Sequence, residues 1–204
     1  MCVGRCRCRC GADVSGNDWL GSRRTEIAAE RILDAAGGLF AEHNVAGIGM
    51  NEIARAAGCS RATLYRYFEN REALHNAFVH REARAVHSKL AKTLVGISDP
   101  RMRLLAGLTG ALELVRGNPA LSSWFADTPL GAEMAEQSQV IQTLTAGFLQ
   151  SLNESDDLDR RARWLVRVLT SLLISPGRDA DDERAMLADF VVPLVVPKVR
   201  NAPG

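Results

Sequence analysis

The stretch Met50-Asn51-Glu52-Ile53-Ala54-Arg55-Ala56-Ala57-Gly58-Cys59-Ser60-Arg61-Ala62-Thr63-Leu64-Tyr65-Arg66-Tyr67-Phe68 decides the fold. Ile53, Ala54 and Ala57 fall on one face at helical spacing. Gly58 follows that face, at a position where a helix end often needs positive φ, which glycine adopts without steric cost. Ser60 stands where the next helix needs an N-cap. Arg61, Thr63, Tyr65, Arg66 and Tyr67 then surround Leu64 and Phe68. The pattern predicts two short helices around a tight turn, the second polar, aromatic and cationic. Such a helix suits a groove lined with phosphates better than a protein core.

The run from Ile53 to Phe68, followed by Arg71-Glu72-Ala73-Leu74, resembles the DNA-binding domain of the tetracycline-repressor (TetR) family. The resemblance covers roughly residues 26–86; residues 87–204 share only the length and helical character of that family's ligand-binding and dimerisation domains. It implies that Ser60, Arg61, Ala62, Thr63, Tyr65, Arg66 and Tyr67 face DNA, with Tyr67 clamping the backbone. Arg61, Arg66 and Arg71 can neutralise phosphates, and Ser60, Thr63, Tyr65 and Tyr67 can donate hydrogen bonds to phosphates or base edges. Two positions depart from the family pattern. Gly49 stands where Ser or Thr usually caps the helix and touches a phosphate, and Cys59 stands where a small apolar residue is usual; it reads as a structural thiol.

Working outward, the first helix is expected over Thr25–His43, with Ile27, Ile32, Ala35, Ala36, Leu39 and Phe40 inward. Arg23 and Arg24 before it form either an arm toward DNA or a solvated tail. Residues 1–22 read as a disordered leader, consistent with a start codon set too far upstream. Its Cys2, Cys6, Cys8 and Cys10 lack the spacing of a zinc site, and no secretory core follows. A long helix from Arg71 toward Val95 would link the two domains, with Leu74, Ala77, Phe78, Ala85 and Leu90 inward. It carries His75, His80 and His87 in solvated or interdomain roles, and no metal is expected.

Charge is divided along the chain. Residues 43–92 hold eight Lys/Arg against four Asp/Glu, whereas residues 93–204 hold eleven against fourteen. DNA contact is thereby confined to the helix-turn-helix end. The C-terminal part has neither histidine nor cysteine, which argues against an enzyme, and no cofactor is expected. No apolar run is long enough to span a bilayer, and a DNA-binding protein is expected in the cytoplasm.

The remainder reads as helices over Pro100–Arg116, Pro119–Ala126, about Leu130–Leu152, about Asp157–Ile174 and Asp179 to Pro197, the last kinked by Pro193. Counted with the N-terminal ones, an all-α chain of about nine helices is expected. Leu112, Trp124, Phe125, Met134, Leu144, Phe148 and Trp164 suit an apolar pocket, which the resemblance implies, and suit an ordinary core equally well. Few charges interrupt these faces, which disfavours a highly charged effector. The resemblance also implies a homodimer through the two last helices, with Leu165, Leu169, Leu172, Leu187, Phe190 and Leu194 as candidates. The expected function is a dimeric repressor released from a palindromic operator by a small, mostly apolar effector. A ligand-independent regulator or activator is the alternative.

Overall fold

The computed structural model describes residues 19–126, 130–152 and 157–197, and side chains from Thr25 onward. The cysteine-rich start of the leader, the side chains of Arg23 and Arg24, the Thr128-Pro129 break and residues 153–156 of the polar loop lie outside the described residues. Every regular element described is helical.

Helix α1 spans Trp19–Glu42, six residues earlier than Thr25, so the last residues assigned to the leader are already helical. No proline interrupts this stretch, and neither Ser22 nor Thr25 stops the helix. Ile32, Ala36 and Phe40 are buried, but Ile27 is 56% exposed and does not belong to the inner face. A 3-10 turn, Val45–Gly47, leads to α2, Met50–Ala56, and then α3, Arg61–Tyr67. Helix α4, Arg71–Thr93, is capped by Asn70, whose side chain accepts the Ala73 N–H at 2.7 Å. Its first half buries Leu74 and Phe78 against α1; Ala85, expected inward, is exposed, because the second half faces different neighbours.

The second half of the chain wraps around α4. Helix α5, Pro100–Arg116, starts at Asp99 with a proline in its first turn, and α6, Pro119–Ala126, starts at Asn118 in the same way. The expected helix over Leu130–Leu152 is in fact two, α7 at Leu130–Gln137 and α8 at Gln139–Gln150. Ser138 makes the break by capping α8, accepting the Ile141 N–H at 3.2 Å, while the Gln142 amide donates to the Glu136 carbonyl at 2.7 Å. Neither glycine nor proline marks this point. Helix α9, Leu158–Ile174, packs on α7 and α8. The last helix opens as α10, Ala180–Met186, widens into a π-turn at Leu187–Val191 and closes as α11, Val192–Val195. Pro193 has no N–H to give, and the widened turn accommodates it, with Val192 N–H bonding the Leu187 carbonyl.

Two cores result. The first joins α1–α4 and, through Leu121 and Trp124, α6. The second joins Leu104, Leu105, Leu108 and Leu112 of α5 to α8, α9 and the last helix. Buried Glu183 fastens the second: Arg116 grips both its oxygens at 2.7 and 2.8 Å, and the Gly177 N–H donates at 2.9 Å. The Arg116 hydrogen bonds hold this carboxyl below its ordinary range against the cost of burial.

Candidate nucleic-acid interface and ligand cavity

Helix α3, the candidate recognition helix, is built by its caps. Gly58 has φ +66° and turns the chain after α2, with Cys59 N–H bonding the Ala54 carbonyl at 2.9 Å. Cys59 is a free, half-buried thiol packed on the first core. The Ser60 hydroxyl accepts the Thr63 N–H at 3.0 Å and lies 2.9 Å from the Thr63 hydroxyl. A cap of this kind contributes about 1 kcal/mol. Gly49 caps α2 without a side chain. Glu52 substitutes by accepting the Gly49 N–H at 2.8 Å, so the missing hydroxyl costs a possible phosphate contact but not the helix start.

Leu64 and Phe68 anchor α3 in the core, which turns Ser60, Arg61, Ala62, Tyr65 and Arg66 outward. Thr63 and Tyr67 are half-buried at the edge of the same face. Arg61 lies over the Tyr65 ring and Arg66 over Tyr67, with guanidinium carbons 6.0 and 5.2 Å from the ring centres. The face is therefore cationic and aromatic together, with donors spread along it.

Arg71 does not join that face. Its Nη2 donates to the Val45 carbonyl at 2.6 Å and the Ala46 carbonyl at 2.9 Å, and its Nε lies 3.4 Å from His75 Nε2. It braces the α1–α2 connection against α4. The sequence placed it correctly at the start of α4, but the reach of its side chain turned the other way.

Behind the recognition helix, Phe40, His75, Phe78 and Trp124 form one aromatic cluster. Phe40 meets the other three edge-on at 5.0–5.5 Å, and the Phe78 and Trp124 rings stack at 5.9 Å. Burial, assisted by the Arg71 charge, lowers the His75 pKa to about 4, so its ring is neutral and Nε2 is free to accept. Burial and the nearby Arg84 lower His80 as well.

Trp124 also lines a cavity of about 550 Å³ between α4–α9, partly open to the surface. Among the seven pocket candidates, Trp124, Phe125, Leu144 and Phe148 do line it. Leu112 is buried in the second core, Met134 packs against the first, and Trp164 stands on the outer face of α9, 37% exposed. The sequence reading missed the wall supplied by α4, with Val79, Val86 and Leu90, and it missed Arg103 of α5. The available signal was the small-residue run Gly107, Gly110 and Ala111 among the leucines of α5. A Cβ at Gly107 would sit 2.6 Å from the Phe148 ring, so only glycine lets that ring lie against α5.

Two of the six dimer candidates are unavailable to a partner: Leu165 and Leu187 are 0% and 1% exposed inside the protomer. Leu169 and Leu172 are half-buried, whereas Phe190 and Leu194 are 69% and 68% exposed. The pattern on both helices is apolar on two sides, and spacing alone did not tell the inner row from the outer.

Residues 32–78 match the model of the bacterial regulatory proteins of the tetR family. A relative from Mycobacterium tuberculosis, described as an uncharacterized HTH-type transcriptional regulator, is 57% identical over 188 residues, covering 90% of this chain and 93% of its own. This chain belongs to the tetR family. It is a DNA-binding transcriptional regulator of that family. The HTH-type transcriptional repressor KstR of Mycobacterium tuberculosis is 25% identical over 162 residues, 76% of this chain and 74% of KstR. The crystal structure of RolR in complex with resorcinol superposes with a TM-score of 0.70 at 19% identity, covering 90% of this chain and 98% of that one, which establishes the shared fold. Among the described residues no helix is long and apolar enough to cross a membrane.

Proposed function

We propose that this tetR-family regulator is a dimeric repressor, released from a palindromic operator by a small, mostly apolar effector. The observation that carries the reading is Trp124, which lines the cavity and at the same time belongs to the core beneath the helix-turn-helix. A ligand in the cavity thus bears on the domain that holds DNA. Residues 26–86 supply the DNA-binding unit and 87–204 the sensor and dimerisation unit, and the protein acts in the cytoplasm without enzymatic activity. Ser60, Arg61, Ala62, Thr63, Tyr65, Arg66 and Tyr67 make the operator contact. Phe190 and Leu194, with Leu172 at the edge, supply the dimer face, whereas Leu169 lines the cavity.

The cavity has a volume usual for small-molecule sites. The RolR–resorcinol complex supports such use of the fold, and the repressor KstR supports the sign of regulation. An operator selected from bound genomic fragments provides the assay. Arg66→Ala and Tyr67→Phe each weaken its binding by about tenfold, as expected for lost phosphate contacts worth roughly 1–2 kcal/mol, with unchanged helical content. Unaltered gel shifts for both variants refute the docking face.

A further inference from the structure

Among the described residues, two buried side-chain donors lack any acceptor, Arg103 Nε and Trp124 Nε1, and both belong to residues that line the cavity. Arg103 is the more telling. No aspartate or glutamate is among the described residues that line the cavity, and no acceptor meets the buried Arg103 Nε. Its neighbours differ. Arg101 donates to the Val196 carbonyl at 2.8 Å, and Arg116 grips Glu183. Asp99, one turn before Arg103, gives its carboxylate to the helix cap, accepting the Met102 N–H at 2.7 Å. Arg103 also stands in the first turn of α5, where the helix dipole opposes a cation. The fold thus holds the Nε of this half-buried side chain against a mostly apolar wall with no acceptor for it.

The position within the cavity is defined. Helix α5 folds back along α4, bringing Gly110 against Leu90. Arg103, two turns before Gly110, therefore lies toward the Leu94 end of α4, and Trp124 and Phe125, on the helix that follows α5, line the cavity from the other end of α5. We propose that the cavity takes an amphipathic ligand with one carboxylate, which pairs with the Arg103 guanidinium while the apolar body runs toward Trp124. This rests on the reading of the cavity as an effector site and names the chemical class of the effector. A planar guanidinium matches a carboxylate in a bidentate pair, and the apolar lining strengthens it.

The test uses the full-length protein and quenching of tryptophan fluorescence, with two matched pairs of probes: dodecanoate against dodecan-1-ol, and 2-naphthoate against 2-naphthylmethanol. In at least one pair the wild type prefers the acid by about tenfold or more. Arg103→Met removes that preference while keeping the affinity for the neutral probe, and Arg103→Lys keeps part of it. Without ligand, Arg103→Met melts above the wild type, because a buried donor without an acceptor has been replaced by a thioether of similar length. Equal affinities for acid and neutral probes, or a preference that survives Arg103→Met, overturn the carboxylate assignment and leave the effector site standing. An unchanged or lower melting temperature of the ligand-free Met variant overturns the claim that the buried Nε is unsatisfied without ligand. Failure of all four probes to bind either protein overturns the effector site as well.

Discussion

Arg71 gives the sharpest test, because sequence and structure assign it different work. Its place at the start of α4, beside the recognition helix, suggests a phosphate ligand. In the structure its guanidinium holds the Val45 and Ala46 carbonyls at 2.6 and 2.9 Å. Hydrogen bonds from a charged donor contribute roughly 1.5–3 kcal/mol each when part-buried and less when exposed. The Val45 bond is part-buried and the Ala46 bond exposed, so Arg71→Met should destabilise the fold by about 3 kcal/mol. For a chain of this size that lowers the melting temperature by about 6–12 °C. A phosphate ligand would behave otherwise. Each lost contact reduces the slope of log K against log salt by about 0.9, or about 1.8 for a dimer, while stability stays near wild type. Thermal unfolding and operator titrations at several salt concentrations separate the two. The brace requires a large drop in melting temperature with an unchanged salt slope; a reduced slope with unchanged melting refutes it.

Neutral His75 makes stability depend on pH. Its pKa falls from 6.5 to about 4 on folding, so between those values the unfolded chain binds the extra proton and stability declines as pH falls. After allowance for screening at the ring edge, the loss is roughly 2 kcal/mol, and His75→Phe should remove it; parallel pH profiles for variant and wild type in urea unfolding would contradict this. Phe190→Asp should give a folded monomer in sedimentation at micromolar concentration. Burying Phe190 in both copies of a two-fold interface is worth about 4 kcal/mol, on the order of a thousandfold in dimer affinity, and a variant that remains dimeric moves the interface elsewhere. Phe40→Leu, which touches neither cavity nor DNA face, should narrow the ratio of operator affinities measured with and without an effector while leaving effector affinity unchanged. A full ratio in that variant excludes the aromatic cluster as the route.

The helix-turn-helix was legible because local rules determine it. Gly58, Ser60 and Leu64 act within a few residues of themselves, and the structure puts each where spacing placed it. Gly49 also kept its role, since Glu52, three residues on, completes the cap. The cavity was legible only in part. Trp124 and Phe148 are large and apolar, whereas Met134 and Trp164 are large and apolar but lie elsewhere. What separates them is which side of a helix its neighbours cover, and that depends on contacts distant in sequence. Arg103 escaped notice for the converse reason: an arginine in a first turn reads as solvated surface, and the lack of an acceptor for its buried Nε is visible only once α8 and α9 are in place. The break at Ser138 was missed because a serine cap can interrupt a helix without glycine or proline.

On the proposed reading, the two cores would let one protein of this size serve both as clamp and as sensor. A ligand shifts an equilibrium only by the difference in its affinity for the two states. That difference has to be created where ligand contacts and DNA-domain contacts meet. Here they meet at two places. One is α4, whose first half packs on α1 and whose second half lines the cavity. The other is α6, which packs on α1 through Trp124 against Phe40 at 5.3 Å, while Trp124 and its neighbour Phe125 also line the cavity. Arg81 ties the two routes together, pairing with Glu30 and Asp34 of α1 and with Glu82, whose other oxygen receives the Asn118 amide at the start of α6. Close-packed aromatic rings do not deform gradually. A ligand that pushes α6 outward must therefore carry α1 with it or break the cluster, and in the first case the recognition helix, anchored through Leu64 and Phe68 to the same core, is displaced as well.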